Sequence, residues 1–441
     1  MRTKIINVLL TPGVSSEAHI PFIPDAEIQI DQNRIVYAGR QAEAPAFEAD
    51  EVIDGIGCLA MPGLCNLHAH TPMTLMRSKG SDLPLERWLN EAIFPVEKQL
   101  TADAVRAGTD LGILEMLRFG TTSFNDMYFH MDSEAEAVQD SGMRALLSYG
   151  VIDFDESCND LLPGIDFVEK WSHTADDRIR VCFGPHSEAT TSRKVLEKIR
   201  DAAISYKVPV HMHVSETKLD FEGSLKRRGM TPPQYLDDIG LTDVPLLAAH
   251  CVWMTDKDID LFAKKGVYIL HNPISNLKLA SGIAPIAKML ERGCKITLGT
   301  DGVASNNNLN LWEEIKLMPL LQKGTQLDPT AVSPAQTLAA ATYNGAQALG
   351  YSDLGLLKEG YLADLILVDL NQPQSIPCND MEGNLIYAVQ GSDVRLTMVN
   401  GKVLYRDGEY LTMDEKLVKE RARRETEKLF ERVRAAQEPK E

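Results

Sequence analysis

Between about residue 60 and residue 355 the chain alternates short apolar runs with longer helical stretches, and the apolar runs number about eight. They are 64–70 LCNLHAH, 121–127 TTSFNDM, 144–151 RALLSYGV, 178–186 RIRVCFGPH, 209–216 PVHMHVSE, 244–251 VPLLAAHC, 266–273 GVYILHNP and 294–302 CKITLGTDG. Alternation of this kind builds a parallel sheet covered by helices, and eight units are what a (β/α)8 TIM barrel needs. Helix boundary signals agree with the spacing: Thr101 precedes ADAVRAGTDLGILEMLRFG, which ends at Gly120, and Thr255 precedes DKDIDLFAKKG. On both sides of this region the pattern turns to β. KIINVLL, AEIQIDQNRIVYAG and EVIDG lie before it; YLADLILVDL and VRLTMVNGKVLYRDGEY lie after it, the last with Asn400-Gly401 as a hairpin signal. The expected organisation is residues 1–60 as the N-terminal part of a small composite β-sandwich, 61–357 as the barrel, and 358–441 as the rest of the sandwich plus a charged terminal helix.

Composition narrows the function. The 441 residues are 44% hydrophobic and 24% charged, with a formal net charge of -18, so the chain is globular and repels phosphate backbones and anionic lipid. Nucleic acid and membrane surfaces are therefore not expected as partners; a small neutral or cationic molecule is, and a homo-oligomer stays open. The seven cysteines are odd in number, scattered and without a C-x-x-C pair, and read as thiols in a reducing cytosol. The start MRTKIINVLLTPG has too short an apolar stretch for a signal peptide, and the expected location is cytoplasmic.

The histidines carry the chemistry. Residues i and i+2 of a strand face the same side, so His68 and His70 both point into the barrel at the C-terminal end of its first strand, the end where such barrels keep their active sites. Two lone inward histidines would pass as satisfied core residues. However, His186, His211, His213, His250 and His271 also lie at the ends of predicted strands, so seven of the ten histidines gather on one rim. Asp301 ends the eighth strand and Glu216 follows the fifth.

The segments PGLCNLHAH, HMHVSE, LLAAHC, HNPISN and LGTDGVASNNN, in this order, resemble the amidohydrolase superfamily, in the branch of methylthioadenosine/S-adenosylhomocysteine deaminases and related purine and triazine hydrolases. The resemblance covers nearly the whole chain and implies the composite sandwich as well. It implies that His68, His70, His213 and Asp301 hold one divalent metal, Zn2+ in the first place, with Fe2+ fitting the same nitrogen and oxygen donors. His211 shares a face with His213 and is the rival ligand. Only His213 has a glutamate three residues on, where the family keeps its general acid/base, so His211 is expected to pack or to orient a neighbour. The fourth strand carries no lysine that could bridge two metals when carboxylated, so one metal is expected.

Zinc lowers the pKa of water from ~15.7 to about 7. By the resemblance Asp301 accepts that water's proton, Glu216 protonates a purine ring nitrogen and then the departing amine, and His250 stabilises the developing charge. Glu216 would otherwise read as a solvated loop acid and His250 as a core imidazole. In LPLERWLNEAIFPVEKQL, Trp88 and Glu97 map to the aromatic residue and the ribose-binding glutamate of nucleoside-deaminating members, although an amphipathic helix would also explain them. His186 maps near ribose and base, and Ser305 near the reacting face. Where members that use S-adenosylhomocysteine carry an arginine for its carboxylate, this chain has Ser148-Tyr149-Gly150 followed by the acidic DFDES, and Arg144 looks structural.

The expected function is thus deamination of the 6-amino group of adenosine-type nucleosides such as adenosine, 5′-deoxyadenosine and 5′-methylthioadenosine, with S-adenosylhomocysteine held open. The alternatives are a deaminase or chlorohydrolase of a free nucleobase, pterin or s-triazine, and a non-catalytic scaffold.

Overall fold

Eight parallel strands form the centre of the molecule in the computed structural model, which describes residues 1–153, 156–159 and 161–437. Phe154 and Asp155 of the acidic DFDES stretch lie outside the described residues. Five strands precede the barrel: β1 Arg2–Leu10, β2 Ile23–Asp31, β3 Arg34–Arg40, β4 Glu51–Asp54 and β5 Cys58–Pro62. The barrel strands are β6 Leu64–Ala69, β7 Thr121–Tyr128, β8 Arg144–Val151, β9 Ile179–Pro185, β10 Val210–Val214, β11 Leu246–His250, β12 Tyr268–His271 and β13 Lys295–Leu298. They pair in chain order from β6 to β13. Helices cover their outer faces, which is why β6 and β7 are buried at every position although each carries polar side chains.

The last strand meets the first through side chains and backbone beyond the regular ladder. Asn66 Nδ2 donates to Thr300 Oγ1 (2.8 Å), Thr300 N donates to Asn66 Oδ1 (3.0 Å), and Asp301 N donates to the His68 carbonyl (2.8 Å). The approach is so close that a Cβ at Gly299 would stand 2.7 Å from His68 N, so only glycine fits there. β13 therefore ends at Leu298, earlier than the expected run to residue 302. The chain leaves the ladder to close this seam, with Asp301 at φ 64°.

Strands β14 Leu365–Asp369, β15 Val394–Val399, β16 Lys402–Arg406 and β17 Glu409–Tyr410 join the N-terminal five in one nine-stranded sheet, ordered β17–β16–β15–β14–β5–β1–β2–β3 with β4 also paired to β1. The antiparallel β5–β14 pair is where the two ends of the chain meet. Ile5, Ile28, Ile30, Leu365 and Met398 form the core of this sheet. Asn400 and Gly401 make the β15–β16 turn with φ 53° and 74°, the left-handed pair that a type I′ turn requires. The terminal helix Glu415–Gln437 lies along the helix Ala102–Arg118, with Arg421 3.7 Å from Asp110 and Arg432 Nε donating to the Gln99 carbonyl. Among the described residues no helix is long and apolar enough to cross a membrane.

Arg144, at the floor of the barrel, is the bidentate partner of Asp364 just before β14 (Nε–Oδ2 2.8 Å, Nη2–Oδ1 3.1 Å), and both side chains are 1% exposed. The pair fastens barrel to sheet. Truncating one partner leaves the other charge buried and alone, so Asp364→Ala should lower unfolding free energy by about 3–5 kcal/mol, as read from denaturant melts. Replacing both residues with apolar side chains of similar volume should cost less. An Asp364→Ala chain as stable as the parent would contradict this account of the joint.

Candidate active site

The metal-ligating atoms expected from the sequence converge at the C-terminal mouth of the barrel. His70 Nε2 lies 3.4 Å from His213 Nε2 and 3.4 Å from Asp301 Oδ1, and His68 Nε2 lies 3.5 Å from the same Oδ1. Ligands held ~2.0–2.2 Å from one tetrahedral ion stand roughly 3.3–3.6 Å from each other, so these separations are the edges of a coordination polyhedron. The protons agree. His70 Nδ1 donates to the Met127 carbonyl (2.7 Å) and His213 Nδ1 to the His186 carbonyl (2.7 Å), which leaves both Nε2 lone pairs facing inward with no proton between them. His68 Nε2 is buried without a hydrogen-bond partner. Burial and the neighbouring imidazoles hold His68 and His213 well below the usual histidine range, in the neutral form a metal requires. The residues present fit a divalent ion.

His211 does not reach this cluster with a ligating atom; its Nε2 lies 2.9 Å from His68 Nδ1. It holds His68 from behind and so orients a neighbour. Asp301 is itself held: Ser275 Oγ donates to Oδ2 (2.6 Å) and Gly302 N to Oδ1 (2.7 Å). His250 joins His68 and His213 as a second triple of converging ligand atoms, and its ring stacks on that of His213 with centroids 5.4 Å apart. Its Nε2 also stands 3.7 Å from Glu216 Oε2. Ser215, His250, Cys251 and Asp301 all have positive φ. Side chains other than glycine pay for that conformation, and its concentration at the strand ends is typical of a functional rim.

Glu216 sits two residues past β10. Burial pushes its carboxyl up, against the pull of His250, and Ser281 Oγ donates to Oε1 (3.3 Å). A carboxyl raised by burial, beside a cavity, is better placed to give a proton to a bound base than a solvated one.

The cavity above the cluster is lined by His70, Trp88, Glu97, His186, His213, Glu216, His250 and Asp301, with Leu85, Leu89, Phe94, Phe129, Ile152 and Leu279 among its apolar walls. Trp88 belongs to a π-helical turn, Trp88–Ile93, and donates from Nε1 to the Lys79 carbonyl (3.1 Å). Glu97 lies beside Tyr128, and burial raises its carboxyl. His186 accepts or donates at Nδ1 with Thr190 Oγ1 (2.9 Å), and burial followed by His70 lowers it to about 4.

Two residues lie away from the cavity. Ser305 does not line the cavity: its hydroxyl donates to the Gly302 carbonyl (3.0 Å) and stabilises the turn after Asp301. Tyr149 does not face the cavity either. β8 alternates, so Gly150 reaches the cavity wall while Tyr149 points outward to a groove with His130, Asp132 and Lys170. The sequence reading missed Ser275 and Asn276, which support Asp301 and His250. The motif HNPISN contains them, but only the fold shows that the short helix Pro273–Lys278 after β12 brings both to these side chains.

The family model described as Amidohydrolase family matches residues 59–404. A 5-methylthioadenosine/S-adenosylhomocysteine deaminase of Dictyoglomus thermophilum is 48% identical over 379 residues, 86% of this chain and 89% of that protein. A 5'-deoxyadenosine deaminase of Methanosarcina mazei is 46% identical over 414 residues, 93% and 95% of the two chains. Among solved structures, a zinc-bound adenosine deaminase from Xanthomonas campestris superposes with a TM-score of 0.92 at 33% identity, covering 97% of this chain and 98% of that one. A zinc complex of atrazine chlorohydrolase from Arthrobacter aurescens superposes with a TM-score of 0.89 at 25% identity, covering 96% and 100%. Matched from β5 to β16 by one family model, and sharing nearly half of its residues with these two deaminases along most of its length, the chain belongs to the amidohydrolase family.

Proposed function

We infer that this protein is a metal-dependent aminohydrolase that removes the 6-amino group of adenosine-type nucleosides, giving the inosine analogue and ammonia. The observation that carries the reading is the buried Glu216 carboxyl facing a cavity whose floor is the His68, His70, His213 and Asp301 cluster. Both relatives above are named as deaminases of such nucleosides.

A divalent ion on those four ligands, zinc by its nitrogen and oxygen donors, supplies Lewis acidity that makes water nucleophilic near neutral pH. The residues do the rest. Glu216 gives its proton to the purine ring nitrogen next to C6 and makes that carbon electrophilic. Asp301, held by Ser275 and Gly302, takes the proton of the attacking water. His250 steadies the charge that develops on the attacking oxygen. The C6–O bond forms, the water proton taken by Asp301 passes to the amino group, the C6–N bond breaks and ammonia leaves; the remaining hydroxyl proton restores the Glu216 carboxyl as the carbonyl forms, and the proton Glu216 gave stays on the ring nitrogen of the product. Free thiols at all seven cysteines suit a cytoplasmic setting.

Trp88, Glu97 and His186 hold the nucleoside: Glu97 receives the ribose hydroxyls while Trp88 and His186 close on base and sugar. Among the described residues lining the cavity there is no lysine or arginine. In the vestibule outside it, Arg227 is paired with Glu188 (3.0 Å), and Lys278 Nζ donates to the Ala304 carbonyl (3.0 Å). Lys218, exposed at the same vestibule, lies 3.5 Å from Glu222. With no cation among the described residues of the inner cavity itself, neutral nucleosides are preferred over S-adenosylhomocysteine by about tenfold to a hundredfold, the worth of a charge-assisted contact of roughly 1.5–3 kcal/mol.

The test is kcat/KM across 5′-deoxyadenosine, 5′-methylthioadenosine, adenosine, S-adenosylhomocysteine, adenine and an s-triazine. Glu97→Ala should reduce kcat/KM for the nucleosides by about tenfold to a hundredfold and leave that for adenine nearly unchanged. Faster turnover of a free base or triazine than of any nucleoside would favour the alternative hydrolases.

A further inference from the structure

We propose that Glu314 is a positioning residue that holds the Asp301 carboxylate in register with His68 and His70. The proposal rests on the ligand role given to Asp301 above and goes beyond it by naming the side chain that sets its place from outside the cavity.

Glu314 lies in the first turn of the helix Leu311–Gln326 and is fully buried. It is not among the residues that line the cavity, so it does not touch a bound substrate. Burial pushes its carboxyl up, and two N–H donors pull it back. Ile274 N donates to Oε2 (3.1 Å), and Asn306 Nδ2 donates to Oε1 (2.6 Å). The same Nδ2 donates to the Thr300 carbonyl (2.8 Å). Asn306 Oδ1 has no partner, yet turning the amide over would set that oxygen against both acceptors, so its orientation is fixed.

Each contact leads to Asp301. Ile274 precedes Ser275 in the short helix Pro273–Lys278, and the Ser275 hydroxyl donates to Asp301 Oδ2 (2.6 Å). Thr300 precedes Asp301 and is bound to Asn66 across the barrel seam. Glu314 therefore ties the helix that grips the Asp301 carboxylate to the turn that carries the Asp301 backbone. That backbone, at φ 64°, is one an aspartate adopts only at a cost, so its surroundings must hold it. With Oδ2 held by Ser275, Oδ1 faces His68 Nε2 at 3.5 Å and His70 Nε2 at 3.4 Å. Without Glu314 the short helix and the turn lose their common anchor, and Oδ1 loses its aim.

The experiment compares Glu314→Gln, Ser275→Ala and the double variant with the parent. Glutamine keeps the size but offers one acceptor to two donors. Glu314→Gln should lower zinc affinity, read by competition with a chelator, about 10- to 100-fold, the usual cost of losing a group that orients a ligand. The visible bands of the cobalt-substituted protein should shift with it. A residue that acts through Ser275 gives losses that do not add, so the double variant should be no worse than the poorer single one, whereas an unrelated structural loss would add. Asn306→Ala cuts the tie on the Thr300 side alone, should lower zinc affinity in the same direction, and decides the matter if Glu314→Gln fails to fold. Parental zinc affinity in Glu314→Gln, or in Asn306→Ala where the first variant does not fold, or additive losses in the double variant, overturns the proposal while Asp301→Ala remains impaired and the role of Asp301 stands. Parental zinc affinity in Asp301→Ala overturns both. These readouts need no substrate, so a parent that holds zinc but deaminates no nucleoside overturns the proposed function alone.

Discussion

Glu216→Gln should leave the metal in place and slow deamination on the order of 10² to 10⁴, the contribution of a positioned general acid/base. Glutamine keeps the size and the contact with Ser281 but has no acidic proton to give to the purine ring. The loss should fall on kcat, because the ring nitrogen needs that proton as the carbon is attacked, while ground-state contacts to the sugar and base walls are untouched. Metal content and nucleoside binding measured beside the rate separate this from misfolding. Near-parental kcat in Glu216→Gln would remove Glu216 from the reaction.

The largest effect is expected from the ligands. A His68→Ala, His70→Ala double replacement removes two of four first-sphere nitrogens or oxygens, and should abolish both metal retention and measurable turnover. His211→Ala is the informative comparison, because His211 touches His68 and not the cluster. Its expected cost is the 10- to 100-fold loss in metal affinity or activity typical of a residue that orients a ligand. Metal analysis after exhaustive dialysis reads both. Full occupancy in the double variant would put the metal elsewhere.

Much of this architecture is visible in the residues because a buried parallel strand has few ways to be written. LCNLHAH and LLAAHC are buried on both faces, and apart from Asn66, which binds Thr300 across the barrel seam, only the histidines where the strands open onto the cavity interrupt their apolar runs. The i, i+2 spacing of His68 and His70 then fixes a shared direction. Residues after the strand ends were harder, since there alternation stops and the turn decides. Asp301 remained legible through its neighbours in LGTDG, but Ser305, four positions on, folds back to the Gly302 carbonyl. The regular alternation of β8 places Tyr149 on the face away from Gly150 and the cavity. The support from Ser275 and Asn276 depends on where the short helix Pro273–Lys278 passes in space. No local spacing encodes that.

We propose that a metal held by His68, His70, His213 and Asp301 drives hydrolysis at C6 of an adenosine-type nucleoside. The most direct test is the product balance from 5′-deoxyadenosine with metal-loaded, metal-stripped and zinc-restored enzyme. Equimolar ammonia and the inosine analogue are expected from the loaded enzyme, with loss of both on stripping and their return with zinc. Release of adenine, or undiminished turnover by protein stripped of metal, would contradict it.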